Sequence, residues 1–192
     1  MSPTQTMSPT LLQPILAELP ALRALRRDLH AHPELSFEEQ RTSELIARTL
    51  TGWGIPVHRG IGGTGLVGVI EHGKGGAAVG LRADMDALPV SEHNTFAHAS
   101  THAGRMHACG HDGHVAMLLA AARYWSQRRD FDGTVYLIFQ PAEEAGRRRA
   151  PDDRGWPVRS LPDAGGVRRA QLARHGRRTV RAADRAGVCI QQ

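Results

Sequence analysis

Along this chain the spacing of apolar residues switches from helical to strand-like and back, and that alternation limits the fold more than any other feature. Leu11, Leu12, Ile15, Leu16, Leu19, Leu22, Leu25 and Leu29 recur at helical intervals, which predicts an amphipathic helix bent near Pro20. His30-Ala-His-Pro-Glu-Leu then reads as a loop. Ser36 with Glu39 three residues later has capping-box spacing for a second helix, which carries Leu45, Ile46 and Leu50 and ends near Gly52. Leu66 to Ile70, and Ala78 to Leu81 running on toward Met85, read as strands, and Gly73, Gly75 and Gly76 between them mark a hairpin or tight connection. Asn94 to Arg105 is a polar, His-rich loop. A further helix is expected from about Asp112 to Ser126, and Thr134 to Phe139 is a short buried strand. Helices interleaved with short apolar strands imply an α/β domain, with helices packed on a sheet.

Three segments concentrate reactive side chains, each at a strand end or a helix entrance, where α/β sheets place their sites. In Met106-His-Ala-Cys-Gly-His-Asp-Gly-His114, an extended backbone would project Cys109 and His111 to the same side. A thiolate and an imidazole so placed can hold one divalent ion, or a sulfur-bridged pair. The plainer alternative is a solvated His-rich loop with a small buried cysteine. In Phe139-Gln-Pro-Ala-Glu-Glu144, the adjacent carboxylates repel unless a cation neutralises them. One of them can then coordinate the cation while the other takes a proton from water. Taken alone, the pair also fits a solvated surface loop. In Leu81-Arg-Ala-Asp-Met-Asp-Ala-Leu-Pro89, Asp84 and Asp86 alternate at a strand end. Asp86 is a candidate to support a ligand histidine, set against a solvated strand terminus.

Composition adds limits. No run of 18 apolar residues appears, which argues against a membrane span. Met1 to Thr10 has neither a basic nor an apolar leader region, and Cys109 and Cys189 make no disulfide framework, so a cytoplasmic location is expected. The net charge of +5 is unevenly placed. From Arg147 onward lie 12 of the 24 Lys and Arg residues but only four of the 19 Asp and Glu, so the tail carries the positive excess and the remainder is mildly acidic.

The ordered set His30-Ala-His-Pro-Glu-Leu-Ser, Arg82-Ala-Asp-Met-Asp-Ala-Leu-Pro, Met106-His-Ala-Cys-Gly-His-Asp-Gly-His and Gln140-Pro-Ala-Glu-Glu closely resembles the M20 metallopeptidase family. Within it, the branch is that of aminoacylases, hippurate hydrolases and auxin-conjugate amidohydrolases. The resemblance covers about residues 20–146. It implies an α/β, zinc-peptidase-like catalytic domain, truncated here to its N-terminal part (1–146), with helices packed on a mixed sheet. It implies Cys109, His111 and Glu144 as metal ligands, Glu143 as general base, and no ligand role for His114. It also implies two divalent ions per complete site (zinc, manganese, cobalt or nickel), N-acyl amino acid substrates, and dimerisation through an inserted domain. Neither a nucleic-acid nor a membrane partner is expected.

Residues 147–192 lack Glu, Lys, Phe, Tyr and Met and show no useful periodicity, so an irregular, disordered tail is expected. Codons permitted for this tail, read one nucleotide late, can spell family-like sequence. Asp152 to Arg159 permits M-I-E-D-G-L-F, Val167 to Gly176 permits F-G-A-H-N-W-P-G-M, and the last stretch permits G-P-V-F-A-S-S. The expectation is a frame slip near Gly146–Arg147. It would remove a further ligand histidine and the dimerisation segment, leaving a chain that folds poorly and is inactive as written. The alternatives are a non-catalytic metal-binding remnant, or a nucleic-acid binder acting through the arginine tail.

Overall fold

The computed structural model describes residues 9–144. Helix α1 spans Pro9–Ala31, α2 Gln40–Gly52 and α3 His111–Gln127; the strands are β1 Val57–Ile61, β2 Gly65–His72, β3 Ala78–Asp84 and β4 Gly133–Gln140. The sheet order is β1-β2-β4-β3, with β3 parallel to β4 and the other pairs antiparallel. This is the expected α/β architecture with a mixed sheet. The proposed tail, with Cys189, His175 and everything else from residue 145 on, lies outside the described residues.

One face of the sheet carries the main core. Alternate residues Leu66 and Ile70 of β2, and Val135, Leu137 and Phe139 of β4, meet Ile46 and Leu50 of α2 and Val115, Leu118, Leu119 and Ala122 of α3. Gly68 sits in that series because a Cβ there would lie 3.1 Å from Leu50 and 3.4 Å from both Ile55 and Leu137, so its absence lets α2 approach the strand. Helix α1 packs against α3 and contributes Leu29 to the core, with Leu22 and Leu25 at its margin. Leu16 and Leu19 stay 44% and 40% exposed, so part of the predicted apolar face is only partly covered among the described residues.

Two local expectations are corrected, one is narrowed, and one strand is new. Of the two readings of the glycine link after β2, the tight connection holds and the hairpin does not, because β4 lies between β2 and β3 and pairs with both. Its turn is instead tied to the chain before β4, where Asp132 accepts the Lys74 and Gly75 backbone N–H groups. His30 and Ala31 belong to the last turn of α1 and not to a loop. The capping box does not form: Phe37 turns with φ 66°, and α2 begins only after Glu39, which makes no side-chain cap. Glu34 takes that role, accepting from the backbone N–H groups of Arg41 and Thr42 at 3.0 and 2.8 Å. Finally, β1 was not anticipated, since Val-His-Arg-Gly-Ile has little alternation and gains its strand conformation by pairing with β2.

The β3–α3–β4 crossover positions the chemistry. In the parallel register Asp84 lies opposite Gln140, so both strands end side by side and the N-terminus of α3 returns to that same edge.

Candidate metal centre

Gly110, with φ 86°, is the residue before α3, and this left-handed turn sets Cys109 just ahead of His111, the first residue of the helix. Cys109 and His111 therefore converge through a turn and not through an extended strand. At the opposite wall β4 runs through Pro141 to Ala142, whose φ of 55° bends the chain and brings in Glu143 and Glu144. Donor atoms of Cys109, His111 and Glu144 all lie within 4.8 Å of one another. Glu143 is exposed beside them.

The walls are held by buried carboxylates. His111 Nδ1 donates to the Asp86 backbone carbonyl at 2.8 Å and lies 3.3 Å from Asp86 Oδ1, which leaves Nε2 with the free lone pair. Asp86 Oδ2 accepts from Ser36 Oγ at 2.7 Å and from the Glu144 backbone N–H at 2.8 Å. Glu39, fully buried, accepts from Thr64 Oγ1 at 2.5 Å and from the Ala142 N–H at 2.9 Å. Ser36 and Glu39 thus brace the segment that presents Glu143 and Glu144. Local spacing gave a capping reading for this pair, and no signal in the sequence linked it to a strand end about a hundred residues away.

Charge at the site is unbalanced. Burial, a hydrogen bond with Glu144 and the fields of Glu144, Glu143 and Asp84 push the Cys109 thiol up to about 11. Burial raises Asp84 to about 6, against the opposing pull of Arg82 and His111. Burial works against ionising Asp86, yet hydrogen bonds from His111, Ser36 and Glu144 hold it below the usual carboxylate range. A divalent cation fits this donor set: it would stabilise the thiolate and offset the gathered carboxylates.

Asp84 and Asp86, which the alternation placed together, part around His111. Asp86 backs His111 Nδ1, whereas Asp84 joins a second group, with His111 and His114, whose donor atoms also lie within 4.8 Å. The i, i+3 spacing of the two histidines on α3 was the available signal for that second group.

Behind α3, His30 Nδ1 lies 2.9 Å from Asp112 Oδ2 and its Nε2 3.1 Å from Glu92 Oε1, and Arg26 donates to Asp112 Oδ2 at 3.1 Å. Nearby, both ring nitrogens of buried His107 have no hydrogen-bond partner among the described residues. Burial lowers His107 to about 4, below its value in an unfolded chain. The native state therefore binds fewer protons, so stability is present above about pH 6.5 and is lost as the pH falls toward 4. The loss is read by urea unfolding across that range. His107→Phe should flatten the slope, and an unchanged slope would refute the assignment.

Residues 80–166 match the family described as Peptidase family M20/M25/M40. The thermostable carboxypeptidase 1 of Saccharolobus solfataricus is 51% identical over 124 residues, covering 64% of this chain and 32% of the relative. The hippurate hydrolase of Campylobacter jejuni is 47% identical over 120 residues, covering 62% and 31%. The Bacillus subtilis YXEP protein, described as a dinuclear metal-binding peptidase from the M20 family, superposes with a TM-score of 0.64 at 44% identity. Over these stretches the chain is similar to proteins of the M20 family. It spans about a third of the length of the curated M20 relatives it matches, and covers 37% of the superposed M20 structure. No helix among the described residues is long and apolar enough to cross a membrane.

Proposed function

We propose that this chain carries the N-terminal part of the catalytic domain of a metal-dependent amidohydrolase acting on N-acyl amino acids, hippurate-like or related amide conjugates. The observation that carries this reading is the convergence of Cys109, His111 and Glu144 within 4.8 Å, with Glu143 beside them. The names of the hippurate hydrolase and carboxypeptidase relatives support an amide substrate.

Cys109, His111 and Glu144 hold the cation, which is zinc, manganese, cobalt or nickel, one of two ions in a complete site. When bound, it supplies Lewis acidity toward water and the amide carbonyl. Glu143 takes the proton of the attacking water and later passes it to the leaving amine. Asp86 fixes the His111 tautomer by accepting at Nδ1, which puts the lone pair of the neutral ring at Nε2 and raises the ring's basicity. Because water attacks directly, Cys109 acts as a ligand and not as a nucleophile.

We further infer that the domain part ends near residue 146 and that 147–192 is out-of-frame translation, supported by the family-like strings in the shifted frame. On this reading the full protein dimerises, resides in the cytoplasm and does not bind nucleic acid. The test compares two proteins with added metal: the chain as written, and the product of a gene whose frame is restored after Gly146. Hippurate hydrolysis is expected from the second and not from the first. Robust turnover by the chain as written would overturn the inactivity, and none by either would overturn the amidohydrolase reading.

A further inference from the structure

The reading above leaves Asp84 and His114 without work. Asp84 ends β3 and His114 lies in the first turn of α3, one turn beyond His111, with the two imidazole centroids 5.3 Å apart. Donor atoms of Asp84, His111 and His114 lie within 4.8 Å of one another, Asp84 and His111 being buried and His114 half-buried. Two imidazoles and a carboxylate form an N₂O set that suits divalent transition ions. The set shares His111 with Cys109 and Glu144, and His111 has one lone pair to give, because Nδ1 donates to the Asp86 carbonyl. The two sets therefore cannot be filled together.

We propose that the site offers one cation two alternative seats that pivot on His111: a thiolate seat with Cys109 and Glu144, and a sulfur-free seat with Asp84 and His114. The second seat is the weaker. Asp84 is already paired with Arg82, whose Nε donates to Gln140, so an incoming ion must share that carboxylate with a fixed guanidinium. The thiolate seat faces no such competitor. A metal brought to the chain occupies the Cys109 seat first and takes the other when the thiolate is removed.

The proposal rests on the metal-binding reading above, and cobalt(II) separates the two. All proteins carry Cys189→Ser, so that Cys109 is the sole thiolate, and the monomeric gel-filtration fraction is titrated after far-ultraviolet circular dichroism confirms the fold. The parent is expected to bind one equivalent with a sulfur-to-cobalt charge-transfer band. Cys109→Ser should abolish that band and keep one equivalent with visible d–d bands, bound at least about tenfold more weakly. Adding His114→Ala to it should remove the remaining binding, whereas Arg82→Gln should tighten it. Loss of all cobalt from Cys109→Ser alone, or cobalt retained unchanged by the double variant, overturns the second seat while the thiolate reading stands. Binding by the parent that depends on His114 but shows no charge-transfer band overturns the thiolate reading and supports this one. No cobalt bound to any of the proteins overturns both.

Discussion

In the frame-restored enzyme, Glu143→Gln is expected to lower kcat roughly 10²–10⁴-fold while leaving bound metal unchanged. Glutamine keeps the size of the side chain but removes its ability to take a proton. Of the adjacent pair, Glu144 has the ligand geometry: its carboxylate oxygen lies 4.0 Å from His111 Nε2, and its backbone N–H is fixed on Asp86. Glu143 is exposed, outside that ligand group, yet near enough for its charge to act on Asp84, Cys109 and His114. Glu144→Gln should do the reverse, weakening metal binding first and turnover as a consequence. Metal content by atomic absorption, measured with kcat, distinguishes the two. If Glu143→Gln loses metal, or if kcat is unchanged, the division of labour between the two carboxylates is wrong.

How much of this was legible in the sequence differs by scale. Periodicity located the three helices and three of the four strands, since Leu66 to Ile70, Ala78 to Leu81 and Thr134 to Phe139 are apolar enough to announce burial. It could not give strand order, because pairing β4 between β2 and β3 is a contact across more than fifty residues, and nothing in the intervening glycines encodes it. Beside the candidate metal site the same limit appears in sharper form. Ser36 and Glu39 satisfy a local rule, yet their side chains are used by Asp86, Thr64 and Ala142, because a buried donor or acceptor takes whatever partner the packed chain brings within reach. The convergence of Cys109, His111 and Glu144 was legible because the motifs lie at strand and helix ends, while the choice of Glu144 over Glu143 came from the family resemblance. The involvement of Asp84 with His114 was missed: the i, i+3 spacing sets both histidines on one face of α3, but only the packing of α3 on β3 brings Asp84 to that face.

Asp86→Ala is expected to weaken metal affinity roughly 10–100-fold and to destabilise the fold by about 3 kcal/mol. Asp86 is fully buried and answers three groups from three parts of the chain: Ser36 Oγ, the Glu144 backbone N–H and the His111 ring. Removing the carboxylate strands the first two donors and takes away the negative charge 3.3 Å from His111 Nδ1. The Asp86 backbone carbonyl still accepts from Nδ1 at 2.8 Å, so the imidazole keeps its tautomer but loses basicity. Asp86→Asn discriminates between packing and charge. Its one amide oxygen can still accept from Glu144, and its NH₂ then faces the His111 N–H as donor against donor. It should therefore recover part of the stability and little of the metal affinity. Competition with a chromophoric chelator and urea unfolding give the two quantities separately. Full metal affinity in Asp86→Asn would mean that Asp86 acts by shape alone, and that the charge on His111 is set elsewhere.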